Sequence, residues 1–143
     1  RRRATRSPQA IVDRPSRPRP LSELVGEFPG RLRGDHWQPA VDVFETEKAV
    51  VVRVELAGVR SSQVKVSVDG EWLRIRGERT PSADSDIERL HQMEIAFGPF
   101  ERSVRIGVPF ERNQVSANLD EGFLSVVLPK SAPRRRRIEP KTE

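Results

Sequence analysis

The 143-residue chain contains no cysteine, so no disulfide framework exists and the redox compartment is left open. It has no apolar run near the ~18 residues of a membrane span, which argues against a spanning segment. The Arg-rich start is not followed by an apolar stretch of the kind a secretory signal needs, and a cytoplasmic location is the default expectation. Methionine occurs once, at Met93, so Arg1 is not expected to be a natural initiator. Histidine occurs twice, at His36 and His91, far apart and without clustered acidic neighbours. No metal-ligand spacing, Gly-rich phosphate loop or nucleophile-base pair is present, so the chain does not read as an enzyme and no cofactor is expected. Asp84-Ser85-Asp86 is too short for a calcium loop and reads as a polar loop.

What is present is charge, unevenly placed. Charged residues make up 33% of the chain and hydrophobic ones 35%, enough for one modest core. Residues 1–36 carry nine Arg against two Asp and two Glu, residues 37–133 carry 12 Lys+Arg against 15 Asp+Glu, and residues 134–143 five against two. The basicity therefore lies in the two ends, and the middle is mildly acidic. The Arg134–Arg137 run suits phosphates, but no aromatic lies nearby to stack bases. It reads as a solvated tail, with no specific nucleic-acid partner.

Three regions follow. Residues 1–36 hold five prolines and no sustained period, and read as a flexible Arg/Pro-rich arm. Apolar patches interrupt it at Ile11 and Val12, and at Leu21, Leu24, Val25 and Phe28, the last four spaced as one face of a two-turn helix. From Trp37 the texture changes. Val50, Val52, Val54 and Leu56 alternate with other residues, as do Val64, Val66 and Val68, then Leu73 and Ile75, which is strand periodicity. Asp69-Gly70 is a hairpin signal. Phe100, Val104, Ile106 and Val108 share a face, as do Val115, Ala117 and Leu119. Asp120-Glu121-Gly122 supplies a tight turn, and Phe123 to Leu128 a last strand ended by Pro129. With Val41–Phe44, seven short strands recur between turn residues, the pattern of an antiparallel β-sandwich over residues 37–130. Residues 80–97 break the rhythm as a long excursion, within which Leu90 to Ile95 has strand character. Residues 131–143 read as a basic C-terminal extension.

The spelling of several segments resembles one family. Ala117-x-x-x-x-Gly122-x-Leu124, closed by Leu128-Pro129-Lys130, resembles the signature hairpin of the small heat-shock proteins, the α-crystallin domain chaperones of bacterial type. Trp37-x-Pro39 with Val41-Asp42-Val43, Leu56-Ala57-Gly58-Val59, Leu73-x-Ile75-x-Gly77-Glu78-Arg79, and Glu94 followed by Gly98-x-Phe100-x-Arg102-Ser103 match the same family in order. Two differences stand out. Ile106-Gly107-Val108-Pro109 carries two extra residues before its proline. Ile138-Glu139-Pro140 has proline where the family's Ile-x-Ile tail has a second aliphatic residue.

The resemblance implies an immunoglobulin-like antiparallel β-sandwich, the α-crystallin domain, flanked by a flexible arm and a tail. It implies an ATP-independent holdase that binds partly unfolded client proteins under stress, built from a strand-swapped homodimer that forms larger homo-oligomers. Residues 87–97 would be either the exchanged segment, with Val41, Val43, Leu90, Met93, Glu94 and Arg102 at the dimer interface, or a surface loop over its own domain. By period two Arg102 shares the face of Phe100 and Val104. It is either a snorkelling edge arginine with its head in water or half of an ion pair across the dimer, with Glu94 the partner. Val64, Val66, Val68, Val115, Ala117 and Leu119 are either plain core and ladder residues or the lining of a groove for a tail or client. Ile138 is the candidate tail knob, and Ile11, Val12, Leu21, Leu24, Val25 and Phe28 are candidate client-binding residues of the arm. The alternative is a β-sandwich adaptor or co-chaperone, monomeric and with one binding face.

Overall fold

The computed structural model describes residues 36–81, 86–132 and Pro140. The apolar patches of the arm with their expected short helix, Asp84 and Ser85, the Arg134–Arg137 run and Ile138 lie outside the described residues.

Seven strands form: β1 Val41–Glu45, β2 Ala49–Glu55, β3 Val64–Asp69, β4 Trp72–Arg79, β5 Gly98–Arg105, β6 Ser116–Asp120 and β7 Phe123–Pro129. They build two sheets in which every pairing is antiparallel. One has the order β1-β2-β7-β6 and the other β3-β4-β5. The alternation seen in the sequence decides which side of each strand is buried. Val50, Val52 and Val54 of β2, Leu73 and Ile75 of β4, Phe100 of β5, and Leu124, Val126 and Leu128 of β7 make one core with Leu56, Val59 and Ile106. Each such aliphatic side chain contributes about 1.5–3 kcal/mol by leaving water.

Two hairpins show the turn chemistry. Asp120 pairs with Phe123, so Glu121-Gly122 is a two-residue loop. Both residues have positive φ, 48° and 82°, as a type I′ turn requires. Gly122 is also pressed from outside, because a Cβ there would lie 3.2 Å from Ala57 Cα. The β3–β4 turn corrects the Asp69-Gly70 reading by one residue. Asp69 pairs with Trp72, so the loop is Gly70-Glu71, with Gly70 at φ 60° in its first position. A glycine at that position suits a type II′ turn, which also follows the strand twist.

The fourth apolar run is shorter than its pattern suggests. β5 stops at Arg105, and Ile106 is buried through its amide bond to Glu71 O (2.7 Å) and its side chain in the core. Gly107-Val108-Pro109 then leads off toward the other sheet, so Val108 is not a strand residue.

Two features tighten the packing around Phe100. Trp37 forms a parallel bridge with Phe100, its amide donates to Pro99 O (3.2 Å), and its indole Nε1 donates to Gly98 O (3.1 Å). Gly77 lies opposite Phe100, where a Cβ would meet the Gln63 carbonyl oxygen and come within 2.7 Å of Phe100 Cζ. Backbone on one side and a packed ring on the other leave no room to give. Gly77→Ala is therefore expected to cost about 3 kcal/mol, measured as a fall in the thermal or denaturant midpoint. A midpoint within a degree of wild type would show that β3 and β4 can part without cost.

Candidate binding and assembly surfaces

β1 is an edge strand, and its outer backbone rim is unpaired among the described residues. Its side chains alternate between a face toward the core and a face toward solvent. Val41 packs on the core opposite Val54, while Val43, on the same face opposite Val52, is 50% exposed. Phe44 is 39% exposed on the other face, with the Arg53 guanidinium 5.3 Å from its ring centre. An edge strand with apolar side chains open on both faces is a ready template for another strand.

Arg102 stands near this rim. It is half-buried on β5, and its Nη1 reaches Pro39 O at 3.5 Å, the limit of a hydrogen bond. It makes no ion pair among the described residues, so neither sequence reading of it is decided within one chain. Glu94 accepts a hydrogen bond from Gln92 Nε2 (2.8 Å).

Residues 88–97 form no strand within the chain. Strand character at Leu90 to Ile95 needs a neighbouring ladder to bond its amides and carbonyls, and no strand among the described residues pairs with it. Leu90 and Met93 are half-buried, and Ile95 is 63% exposed.

The opposite rim differs. Trp37–Phe100 and Pro39–Arg102 tie the lead-in to β1 onto β5. Aligned packing of the two sheets then puts their other edges, β6 and β3, together. Val64, Val66 and Val68 of β3, with Val115 and Leu119, are half-buried and rest on the core. Ala117 is exposed, although its register partner Val126 is fully buried.

One residue was missed as a site residue. Arg79 is the buried charged side chain among the described residues, 8% exposed. Its Nε and Nη2 both donate to Ala96 O (2.9 and 2.6 Å), and its Nη1 donates to Ala57 O (3.2 Å). The guanidinium lies over Trp37, 4.3 Å from the ring centre, and 5.7 Å from that of Phe97. Desolvation lowers its pKa, and the Glu55 carboxylate raises it in part. The signal was available: Leu73, Ile75, Gly77 and Arg79 share one parity, so period two puts this arginine inside.

A family model, Hsp20/alpha crystallin family, matches residues 42–141. The chain belongs to that family. Among curated relatives, it is 31% identical over 122 residues to the 18.1 kDa class I heat shock protein of Oryza sativa subsp. japonica, covering 85% of this chain and 71% of the relative. It is 40% identical over 103 residues to the 16.6 kDa heat shock protein of the same organism, covering 69% of each. Among solved structures, heat shock protein 16.0 from Schizosaccharomyces pombe superposes with a TM-score of 0.62 at 32% identity, over 74% of this chain and all of that one (100%). A small heat-shock protein from Xylella fastidiosa, described as having a distinct high order structure, superposes at 0.63 with 28% identity, over 76% of this chain and 100% of that one.

The protein is thus a small heat shock protein with an α-crystallin-type sandwich, and its family is one of chaperones. The family match extends past the sandwich into the tail, as far as residue 141. Among the described residues no helix is long and apolar enough to cross a membrane.

Proposed function

We propose that this small heat shock protein is an ATP-independent holdase that captures partly unfolded cytoplasmic proteins and keeps them from aggregating. The observation that carries the reading is the contrast between a closed core and two open rims. Val52, Val54, Leu73, Ile75, Val126 and Leu128 are sealed from water. The half-open apolar residues lie along β1 on one rim and along β3 and β6 on the other. A rigid frame with apolar edges can hold an unfolding chain by the hydrophobic effect and by strand addition, neither of which needs a nucleotide.

In this reading the β1 rim takes residues 87–97 of a second copy, making a homodimer in which Arg102 meets Glu94. The β3–β6 rim takes either the tail knob Ile138 or a client segment. With Pro140 in the second slot the tail lock is weak, which favours labile oligomers. The apolar patches of residues 1–36 add adaptable contacts for dissimilar clients, and the Arg134–Arg137 run keeps loaded complexes soluble.

The test is to heat an aggregation-prone enzyme with and without the protein, in nucleotide-free buffer. Light scattering is expected to fall steeply near equimolar ratio. Unchanged scattering at equimolar and higher ratios argues against a holdase. A native mass equal to one chain at micromolar concentration would favour a monomeric adaptor instead.

A further inference from the structure

We propose that Arg79 couples the root of the N-terminal segment, at Trp37, to the root of the 87–97 excursion, at Ala96–Phe97, so that loosening either one loosens the other. Its consequence for assembly rests on the reading that residues 87–97 pass between protomers.

The geometry carries this in three steps. First, Arg79 touches three separate stretches of chain besides its own strand. It ends β4, lies over Trp37, donates twice to Ala96 O and once to Ala57 O, and nears Phe97. Trp37, which opens the sandwich, and Ala96–Phe97, which lead into β5, are both held on that one guanidinium.

Second, the guanidinium makes no ion pair among the described residues. Its charge is held by carbonyl oxygens and by the face of an indole. A buried charge is tolerated only while its partners remain in place. Withdrawal of the Trp37 ring opens the site to water. The guanidinium then gains by swinging outward, and Ala96 O loses both of its donors. The reverse holds when Ala96–Phe97 departs. The cluster therefore favours two arrangements, closed or open, which is the physical requirement for coupling between two sites.

Third, no ring contact joins Trp37 to Phe97 among the described residues; the ring Trp37 meets is Phe100, at 5.2 Å. Any influence of Phe97 on the indole face has to pass through Arg79 or along the backbone of β5.

Trp37 and Trp72 are the two tryptophans, so Trp72→Phe leaves Trp37 as the only fluorescent indole. In that background Phe97→Leu is expected to raise acrylamide quenching of Trp37 about twofold. With Arg79→Lys also present, quenching should already be raised, and Phe97→Leu should add nothing. A merely structural arginine would give additive effects instead. The coupling is overturned if Phe97→Leu leaves Trp37 unmoved, or adds the same increment with and without Arg79. Should Arg79→Lys fail to fold, Arg79→Gln takes its place in the same comparison, because only a variant at Arg79 separates its route from the β5 backbone, where Gly98 O accepts from Trp37 Nε1. Mixing labelled copies of the full chain tests the consequence: subunit exchange should quicken about fivefold in Phe97→Leu. If Trp37 responds and the exchange rate does not, the coupling stands and the exchanged-segment reading falls.

Discussion

Phe100→Ala is expected to be among the most damaging single substitutions in the sandwich. The phenylalanine is fully buried and packs tilted, at 58°, against the Trp37 ring. Its register partner is Gly77, which offers no side chain, so the ring fills the space opposite as well as its own. Cavities cost most where neighbours cannot collapse into them. Here the far wall is backbone, at Gly77 and at the Gln63 carbonyl, and it cannot lean inward as an aliphatic side chain does. The upper part of the usual Phe→Ala range applies, about 4 kcal/mol. For a domain of this size that lowers the thermal midpoint by roughly 20 °C, read by calorimetry or by loss of the β-sheet circular dichroism signal. A drop of under 1 kcal/mol would mean that Trp37 moves into the vacated space, and that the lead-in to β1 is less firmly held than its three hydrogen bonds suggest. The same variant bears on function, because Trp37 is both the floor of the Arg79 cluster and the point where residues 1–36 join the sandwich.

The sandwich was legible because its strands obey period two with little noise. Val50 to Leu56 and Leu73 to Ile75 are buried as their alternation requires, and Gly122 has the positive φ its turn demands. Misses arose where a second force competes with the pattern. The β3–β4 loop slid by one residue because a type II′ turn uses Gly70 as well as a type I′ turn would. The run through Val108 was cut short because Gly107 and Pro109 cannot continue a ladder, whatever their apolar neighbours suggest. Leu90–Ile95 shows no strand because pairing is a property of two segments, and the period of one segment does not supply the other. Arg79 was hidden because charge overrides parity in ordinary reading. Its inward position is sensible only once Ala57 O, Ala96 O and the Trp37 ring are seen to converge on it from distant parts of the sequence.

The second large effect concerns assembly. Arg102→Gly is expected to weaken the proposed dimer about a hundredfold. Arg102 lies opposite Ile75, a fully buried residue, yet its one acceptor among the described residues is Pro39 O at 3.5 Å. A guanidinium has five N–H donors in a rigid fork that matches a carboxylate. One marginal carbonyl leaves most of that capacity unused, beside an edge strand whose own rim is open. A carboxylate arriving with a partner's 87–97 segment would meet the fork and desolvate both charges together. Breaking a buried pair by removing one member costs roughly 3–5 kcal/mol. The half-buried position of Arg102 argues for the lower end, about 3 kcal/mol, which is the hundredfold change stated. Arg102→Lys should recover part of it, since it keeps the charge but loses the fork. The charge swap Arg102→Glu with Glu94→Arg should recover more than either half alone, because the pair and not the sign is what counts. Native mass against concentration reads all five variants. If Arg102→Gly leaves both the mass and the thermal midpoint unchanged, Arg102 is an edge arginine with its head in water, and the dimer, if there is one, is held by Val43, Phe44 and backbone pairing alone.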